Sequence, residues 1–375
     1  MRILHLHSSF NPGGKEVRAV KLINRFGPGI SHRIVSGVPG ALGAADLIDP
    51  AIAVEYPADF PALAGRPTPW RLKALARAML GHDLVLTYNW GGMDAVMAHR
   101  LFGKQLGLPP LVHHEDGFNQ DEVIRLNPWR NTFRRIGVQG AQALVVPSQL
   151  LERIALTVWH QDRDRVRRIP NGVPLADYGG PADPRALPGL EKRPGDLWIG
   201  TLAGLRAVKN LPRLVRAFAQ VPEPWRLVIV GEGPERDAIR AEAERLGVAG
   251  RVDLPGFAPD PAAVVGLFDL FALSSDSEQF PISVVEAMAA GLAVVSPAVG
   301  DVAAIVAPDN APWIVTPGDD AALGAAMTQA ATDQARRIAV GCANQARARA
   351  EFDEEAMVCA YRETYARAMG RTSFP

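Results

Sequence analysis

Short apolar runs alternate with amphipathic stretches from one end of the chain to the other. Several runs are almost continuously apolar, as expected for β-strands that are covered on both faces. In the first half, the predicted strands are R-I-L-H-L-H, H-R-I-V-S-G, D-L-V-L-T-Y, P-L-V-H-H, A-L-V-V-P-S and V-R-R-I-P-N. The segment K-E-V-R-A-V-K-L-I-N-R-F has helical spacing and precedes Gly27-Pro28, which predicts a helix that ends there.

The second half repeats this alternation. Its predicted strands are L-W-I-G-T-L-A-G-L and W-R-L-V-I-V-G, and its predicted helices are N-L-P-R-L-V-R-A-F-A and P-E-R-D-A-I-R-A-E-A-E-R-L-G. Strands that alternate with helices build parallel sheets with helices on both faces. The pattern therefore predicts an α/β protein made of two Rossmann-like domains that face each other across a cleft.

The domain boundary is predicted from a change in composition. Residues 179–195 are rich in Pro and Gly and lack periodicity. Residues 1–180 would then form an N-terminal Rossmann-like domain, and residues 181–351 would form a C-terminal one. The stretch 352–370 has the pattern of one helix, which could pack back on the N-terminal domain. A chain of 375 residues is long enough for two such domains.

Composition is that of a soluble globular protein, with 48% apolar and 21% charged residues. The formal net charge is zero, so bulk electrostatic binding to nucleic acid is not expected. Cys342 and Cys359 lack C-x-x-C spacing, which argues against a zinc site or a disulfide framework and fits a reducing cytoplasm. No apolar run reaches the length of a membrane span, and His5 and His7 interrupt the first one, so no signal peptide is expected.

The stretch S-E-Q-F-P-I-S-V-V-E-A-M-A-A-G places two glutamates on either side of a predicted helix start. Proline is tolerated in the first turn, so the helix should begin around Phe280–Pro281 and end at Gly291. It follows the predicted strand L-F-D-L-F-A-L-S-S. Its N-terminus should therefore lie at the carboxyl edge of the sheet, where doubly wound folds bind their ligands.

This helix start has the chemistry of a site for a nucleotide sugar. A helix N-terminus attracts anions. Glu278 precedes it, Glu286 lies about 7.5 Å along its axis, and carboxylates accept hydrogen bonds from hydroxyl groups. An anion site between two hydroxyl acceptors fits a diphosphate with a sugar on each side. The alternative is that Glu286 is a solvated helix residue and that Glu278 helps to cap the helix.

The segment E-Q-F-P-I-S-V-V-E-A-M-A-A-G resembles the E-x7-E motif of the GT-B retaining glycosyltransferases of family 4, also called glycosyl transferases group 1. Three other segments agree in the same order. R-R-I-P-N-G-V (167–173) resembles the N-G turn before the family's linker, and L-V-I-V-G-E-G-P-E-R (227–236) resembles its G-x-G-P turn. R-V-D-L-P-G-F (251–257) resembles the strand that faces the nucleobase.

The resemblance implies roles for the donor-binding residues. Glu286 would bind the ribose hydroxyls, and Glu278 would contact the donor sugar near its reacting carbon. Backbone N–H groups of the turn between them would hold the sugar and the diphosphate. That turn consists of Phe280, Pro281, Ile282 and Ser283.

A departing diphosphate needs positive charge. The family supplies it with an arginine and a lysine after the first strand of the second domain. In I-G-T-L-A-G-L-R-A-V-K-N-L, Lys209 falls at the lysine position, but Gly204 falls at the arginine position and Arg206 follows two residues later. Arg206 could substitute for the family's arginine, Lys209 and the helix dipole could suffice, or Arg206 could be a solvated loop charge.

Two segments of the first half resemble parts of the family's site. The loop F-N-P-G-G-K-E corresponds to a Gly-Gly loop close to the donor phosphates, which implicates Gly13 and Gly14; a plain tight turn is the alternative. V-H-H-E-D-G-F-N-Q-D-E follows a strand where the family places a His or an acidic residue beside the reacting carbon and the acceptor hydroxyl. Position favours Asp116 as the catalytic group, with Glu115 and His114 as alternatives; at most one or two of them would act directly.

Three weaker patterns are set against simpler explanations. Gly231-Glu232-Gly233 lacks the third glycine of a dinucleotide fingerprint. Asp162 and Asp164 have the spacing of a metal-binding pair, but they lie in a charged surface turn, so no catalytic metal is expected. In residues 127–138, Trp129, Phe133 and Ile136 share a helix face beside two arginines, Arg130 and Arg134. Packing of that stripe on the domain core is favoured over contact with an anionic membrane.

The expected function is transfer of a sugar from a UDP- or GDP-linked donor to an acceptor hydroxyl, with retention of configuration and without a cofactor. Polysaccharide or glycolipid biosynthesis would be the setting. The acceptor would be a sugar or a lipid-linked sugar, in the cytoplasm or at the inner face of the membrane. The alternatives are a GT-B-shaped nucleotide-sugar epimerase and a non-catalytic nucleotide-sugar-binding protein; a dinucleotide oxidoreductase is less favoured.

Overall fold

The computed structural model describes residues 1–118, 120–122, 125–180 and 182–375. These residues divide into two compact units. The first unit contains Met1–Asn171 and Met357–Pro375, and the second contains Gly172–Ala356. Each unit is built around one sheet, and all of the strand pairings described below are parallel.

The first unit has a seven-stranded sheet in the order β3-β2-β1-β4-β5-β6-β7. The strands are β1 (Arg2–His7), β2 (Ser31–Ser36), β3 (Val54–Glu55), β4 (Leu84–Tyr88), β5 (Leu111–His114), β6 (Ala143–Val146) and β7 (Val166–Arg168). Its helices before the crossing to the second unit are α1 (Gly14–Phe26), α2 (Pro69–Ala78), α3 (Met93–Leu106), α4 (Pro128–Val138) and α5 (Gln149–Thr157).

The strand order decides which helices share a face of this sheet. Right-handed crossovers place α2, α3 and α4 on one face, because β4, β5 and β6 follow one another outward from β1. Leu75, Val96 and Phe133 from these helices share one apolar cluster. Helix α1 leads in the opposite direction and covers the other face, where Phe26 packs near Tyr365.

The second unit has a six-stranded sheet in the order β10-β9-β8-β11-β12-β13. The strands are β8 (Trp198–Leu202), β9 (Arg226–Val230), β10 (Val252–Gly256), β11 (Leu270–Ala272), β12 (Val294–Pro297) and β13 (Ile314–Val315). Its helices are α6 (Leu211–Phe218), α7 (Arg236–Arg245), α8 (Pro261–Val265), α9 (Ile282–Ala289), α10 (Val302–Ile305), α11 (Asp320–Thr332) and α12 (Gln334–Glu351). The last helix, α13 (Glu354–Ala368), belongs to the first unit from Met357 onward.

The crossing into the second unit lies at Asn171–Gly172, ahead of the Pro- and Gly-rich segment where the sequence predicted the boundary. The reason is a backbone pairing that a composition profile cannot detect. The Val173 N–H donates to the Phe352 carbonyl at 3.0 Å, and the Glu354 N–H donates to the Val173 carbonyl at 3.1 Å. Residues 172–180 are therefore fixed within the second unit.

Helix α4 only partly follows its predicted packing. Phe133 is buried as expected, but Trp129 and Ile136 are exposed. Arg134, which was expected beside the apolar stripe, is fully buried instead. The prediction that the whole stripe packs on the core is therefore wrong for Trp129 and Ile136. Across the described ranges of the chain, no helix combines the length and apolarity that crossing a membrane requires.

Candidate functional site

The second sheet has its topological switch point between β8 and β11, because the chain leaves β8 toward β9 and later returns to β11 on the other side. Loops that leave neighbouring strands in opposite directions open a crevice at the carboxyl edge. Here the two loops touch. The Asp276 N–H donates to the Val208 carbonyl at 2.9 Å, and the Ser274 hydroxyl donates to the Lys209 carbonyl at 2.9 Å. This edge is where the sequence predicted a site.

Helix α9 starts at this edge. Its N-cap residue is Pro281 in an extended conformation, and no side chain of that residue caps the helix. The helix ends at Ala289 with Ala290 as C-cap, and Gly291 follows with a φ of 80°, which glycine adopts most readily. A helix start without an N-cap side chain leaves backbone N–H groups available to an anion.

Lys209 and Glu278 form an ion pair in front of α9. The Ser275 hydroxyl donates to the same carboxylate oxygen, Oε1, at 2.7 Å. Both charged side chains are mostly buried but keep an exposed edge. The pair therefore holds one cation and one hydroxyl acceptor together at the mouth of the crevice.

Glu286 lies on α9 beside Tyr178, and the two side chains are hydrogen-bonded. Burial raises the pKa of the Tyr178 hydroxyl, and the neighbouring Glu286 carboxylate raises it further. The Tyr178 hydroxyl therefore stays protonated at neutral pH and donates a hydrogen bond to the Glu286 carboxylate. This contact fixes the carboxylate that was predicted to bind the ribose hydroxyls.

The loop after β8 runs close to the Gly-Glu-Gly turn after β9. Gly231 has a φ of 146°, and a Cβ there would lie 1.9 Å from the Ala203 carbonyl oxygen, so only glycine fits. Arg206 is exposed. A Cβ on Gly204 would lie 3.6 Å from Nε of Arg206, so the Arg206 side chain runs beside the position where the family has its arginine.

In the first unit, Gly13 is the N-cap of α1 and Gly14 is its first residue. The backbone at Gly13 is extended, so a positive φ is not what requires glycine there. A Cβ on Gly13 would lie 2.8 Å from Oε2 of Glu16, a buried side chain that also pairs with Lys15. A side chain at position 13 would therefore clash with the Glu16 carboxylate, and glycine avoids that clash.

Asp116 is held by a buried arginine from α1. Both carboxylate oxygens accept from the Arg18 guanidinium, which makes a second contact to Oδ1 of Asn171 at 3.1 Å. The Asp116 N–H donates to Oδ1 of Asn89 at 2.7 Å. Burial would raise the pKa of the Asp116 carboxyl, but the ion pair with Arg18 outweighs burial and keeps the pKa below its usual value. Asp116 is therefore a permanent carboxylate and a poor proton acceptor at neutral pH.

His114 is enclosed beneath Asp116. Its Nδ1 donates to the Thr87 carbonyl at 3.1 Å, so Nε2 must accept from the Tyr365 hydroxyl at 2.9 Å. Burial lowers the pKa of His114 to about 3, which keeps the ring neutral. A side chain in this position holds its neighbours in place, and direct contact with a substrate is not supported.

Glu115 is enclosed as well, with no exposed side-chain surface. Its Oε2 accepts from Nε of Arg134 at 3.1 Å, while the two terminal nitrogens of Arg134 bond to Glu122. The Arg134 guanidinium also lies 5.1 Å from the centre of the Trp90 ring. Of the three neighbouring candidates His114, Glu115 and Asp116, only Asp116 keeps part of its side chain exposed.

Two residues of this arrangement were missed from the sequence. Arg18 lies four residues before Leu22, on the buried face of α1. A charge on that face should have predicted a buried acidic partner, because buried arginines are almost always paired. Tyr178 follows the N-G pair by a short distance, and nothing in its local sequence indicates that it reaches Glu286.

Comparison with known proteins places these features in a wider group. Residues 186–349 match the family model described as glycosyl transferases group 1, and residues 12–177 match glycosyltransferase family 4. N-acetyl-alpha-D-glucosaminyl L-malate synthase of Bacillus anthracis is 22% identical over 277 residues, which cover 72% of this chain and 70% of that one. D-inositol 3-phosphate glycosyltransferase of Mycobacterium ulcerans (strain Agy99) is 29% identical over 254 residues, or 62% and 54% of the two chains. The chain thus spans between 54% and 70% of the length of these relatives.

Solved structures confirm the fold. Alr3699/HepE of Anabaena, solved in complex with UDP, has a TM-score of 0.79 and 23% identity, and the match covers 98% of this chain and 100% of that one. The same protein has also been solved with UDP-glucose. The predicted α/β fold with two Rossmann-like domains of the GT-B type is therefore correct.

Proposed function

Because the chain belongs to the GT-B glycosyltransferases of group 1, we propose that it transfers a sugar from a UDP- or GDP-linked donor to an acceptor hydroxyl with retention of anomeric configuration. The observation that carries the proposal is the start of α9, which has no N-cap side chain and is flanked by the Lys209–Glu278 pair and by Glu286. Bound UDP and UDP-glucose in the structural relative from Anabaena support a nucleotide-sugar donor.

The donor groups divide the work according to their charge. The diphosphate gains negative charge as its bond to the sugar breaks. It is stabilised by Lys209, Arg206 and the backbone N–H groups of Phe280, Ile282 and Ser283. Pro281 has no N–H and sets the direction in which the chain enters α9.

The two carboxylates bind hydroxyl groups on either side of the diphosphate. Glu278 accepts a hydrogen bond from the donor sugar, and Glu286, fixed by Tyr178, accepts from the ribose. We also assign phosphate contacts to Gly13 and Gly14, by analogy with the family's Gly-Gly loop.

In the proposed reaction, the bond between the anomeric carbon and the diphosphate oxygen breaks first. The acceptor oxygen then bonds to that carbon from the same face, and its proton passes to the released diphosphate oxygen. Asp116 stabilises the positive charge that develops on the sugar, because its pKa keeps it ionised. Arg18, Glu115 and His114 are positioning residues. Protein groups compensate the leaving charge, and no cofactor or metal takes part.

The proposed acceptor is a sugar or a lipid-linked sugar in polysaccharide or glycolipid biosynthesis. We place the reaction in the cytoplasm, with contact at the inner face of the membrane when the acceptor is lipid-linked. The two cysteines, Cys342 and Cys359, are free and exposed, which fits a reducing compartment.

A thermal-shift screen of UDP- and GDP-sugars tests the donor site. A matching donor should raise the melting temperature of the native chain, and Glu286→Ala should lose most of that shift. The matched control is Glu244→Ala, which changes an exposed glutamate on α7 of the same unit. A shift of equal size in native protein and in Glu286→Ala would show that the ribose contact is misplaced.

The rival functions differ in their products. The stabilising donor should be incubated with and without a panel of sugar acceptors, and the products examined by NMR. We expect an α-linked product from an α-linked donor. Conversion of the donor alone into an isomer would identify an epimerase, and binding with no product in any incubation would identify a non-catalytic binding protein.

A further inference from the structure

Helices α2, α3 and α4 leave unusual side chains on their outer surface, here called the three-helix face. The face exposes four large apolar residues. They are Trp70 (80%), Leu101 (56%), Trp129 (59%) and Ile136 (46%). Single exposed apolar residues are common on soluble proteins, but four on one layer of adjacent helices form a pattern that requires a partner.

The two tryptophans occupy equivalent places. Each follows a capping residue and a proline, in Thr68-Pro69-Trp70 and in Asn127-Pro128-Trp129, and each cap side chain accepts from the first turn of its helix. Helices that precede successive parallel strands on one face of a sheet run in the same direction. Trp70 and Trp129 therefore lie at the same end of the layer, on either side of α3.

Packing holds Trp129 in a fixed orientation. Its ring stacks on Phe133 with 5.1 Å between centroids and meets the edge of Trp90 at 6.4 Å. One side of the indole is therefore supported by protein, while the rest faces outward. Such a ring can insert into a partner at a small entropic cost, because its rotamer is already chosen.

The charge of the layer is strongly one-sided. The three helices carry eight basic side chains and one acidic one, Asp94, in a chain whose formal net charge is zero. Asp94 is already paired with Arg71 at 2.7 Å. Five of the basic side chains form no ion pair within the described part of the chain. They are Lys73, Arg77, Arg100, Lys104 and Arg135.

We infer that the three-helix face docks the first unit on an anionic lipid bilayer. Indole rings prefer the level of the lipid headgroups, and unpaired lysines and arginines around them attract lipid phosphates. Proteins and nucleic acids also bind indole rings, so heparin and DNA are included in the test, but two indoles at the same end of one helix layer fit the planar headgroup level of a bilayer best. The inference rests on the proposed function for the membrane-linked acceptor, but its residues belong to the first unit, whereas helix α9 of the proposed donor site belongs to the second.

Vesicle flotation of the full-length protein tests this inference. One set of vesicles contains phosphatidylcholine alone, and the other contains phosphatidylcholine mixed with phosphatidylglycerol. We expect binding to the anionic vesicles, weakened by added salt. Replacing both Trp70 and Trp129 by alanine should reduce binding on the order of tenfold or more. Reversing Arg100 and Lys104 to glutamate should reduce it at least roughly thirtyfold.

Matched variants lie in the second unit. Ile338→Ala removes an exposed apolar side chain, and Arg240→Glu reverses an exposed cation; both should bind vesicles like the native chain. Equal binding by the tryptophan double variant, or equal binding to the two vesicle types, would overturn the inference. So would binding to heparin or DNA with no binding to vesicles.

The donor thermal shift is measured on the same preparations, because it separates this inference from the proposed function. A normal shift without vesicle binding would reject the membrane surface alone. Vesicle binding without any donor shift would reject the donor site alone. The tryptophan variants should keep the native donor shift, which also shows that they are folded.

Discussion

The two units share a parallel α/β architecture but differ in what fills it. All eight histidines of the chain lie in the first unit, and residues 172–356 contain none. The second unit surrounds its sheet with aliphatic and aromatic side chains, and its charged pairs lie at the edge or near the surface. The first unit instead buries ionisable groups at the centre of its sheet.

These groups form a continuous column of rings. His5 contacts His32 with 2.9 Å between ring nitrogens, His7 stacks on Tyr88 at 3.9 Å, and Tyr88 stacks on His114 at 4.7 Å. Burial lowers the pKa of each histidine, to about 4 for His32 and to about 3 for His114. The stability of the first unit should therefore depend on pH in the range where histidine titrates. The stability of the second unit, which has no histidine, should not.

Acidification from pH 7 to pH 5 should produce the largest difference in stability between the two units. Below the unfolded pKa of about 6.5, the unfolded chain binds protons that the folded first unit excludes, so its stability falls as pH falls. A histidine with a folded pKa of about 4 costs about 2 kcal/mol at pH 5. The four histidines of the column would together cost up to about 8 kcal/mol. Calorimetry should show that the melting temperature of the first unit falls with pH, while that of the second unit stays the same.

His7→Phe tests this acid effect, and His160→Asn is its control. Both ring nitrogens of His7 lack a hydrogen-bond partner among the described residues, so Phe can replace the ring and should reduce the acid loss by about 2 kcal/mol. His160 is exposed and has a positive φ that Asn tolerates, so its replacement should leave the slope unchanged. Parallel shifts of both transitions with pH would contradict the account.

Arg18→Met should produce the next largest effect, on stability. It leaves the Asp116 carboxylate buried without its partner, which costs about 3–5 kcal/mol. The pKa of Asp116 should rise, because burial persists after the opposing charge is gone. Urea denaturation followed for the first unit measures the change, with Arg153→Met, an exposed arginine of the same unit, as control. An equal loss in both variants would mean that the pair is not stabilising.

The matching pair of the second unit should respond in the opposite way. Lys209 and Glu278 keep an exposed edge, so Lys209→Met should change stability by only about 1 kcal/mol. The rate of sugar transfer should fall by about 10²–10³, because the leaving diphosphate loses its cation. Transfer kinetics and melting curves, compared with the exposed Arg240→Met, separate the two effects. A large loss of stability with a nearly normal rate would assign the pair a structural role.

Tyr178→Phe should give the smallest effect. Removing one hydrogen bond to Glu286 is worth about 1 kcal/mol, so the donor KM should rise about fivefold while kcat stays nearly constant. Tyr56→Phe, at an exposed tyrosine of the first unit, is the control. A fall in kcat with an unchanged KM would show that Tyr178 does not act through donor binding.

Local pattern was sufficient for the elements that present the site. The start of α9 at Ile282, the strands β8 and β11 and the glycine turn at Gly231 all follow from periodicity and turn chemistry. Strands β3, β12 and β13 were not predicted; β3 and β13 have only two residues each, and runs so short carry no period.

Contacts between distant residues explain what the sequence could not supply. Arg18 and Asp116 are 98 positions apart, and His114 reaches Tyr365 across 251 positions. Only the assembled sheet brings these side chains together. Their burial is also the reason why we propose positioning roles for His114 and Glu115 instead of direct catalysis.

The most direct test of the central claim is a determined structure of the protein with an intact nucleotide sugar. We expect the diphosphate to lie against the first turn of α9, the ribose hydroxyls to bind Glu286 and the donor sugar to lie beside Glu278. A donor bound elsewhere, with the start of α9 vacant, would contradict it.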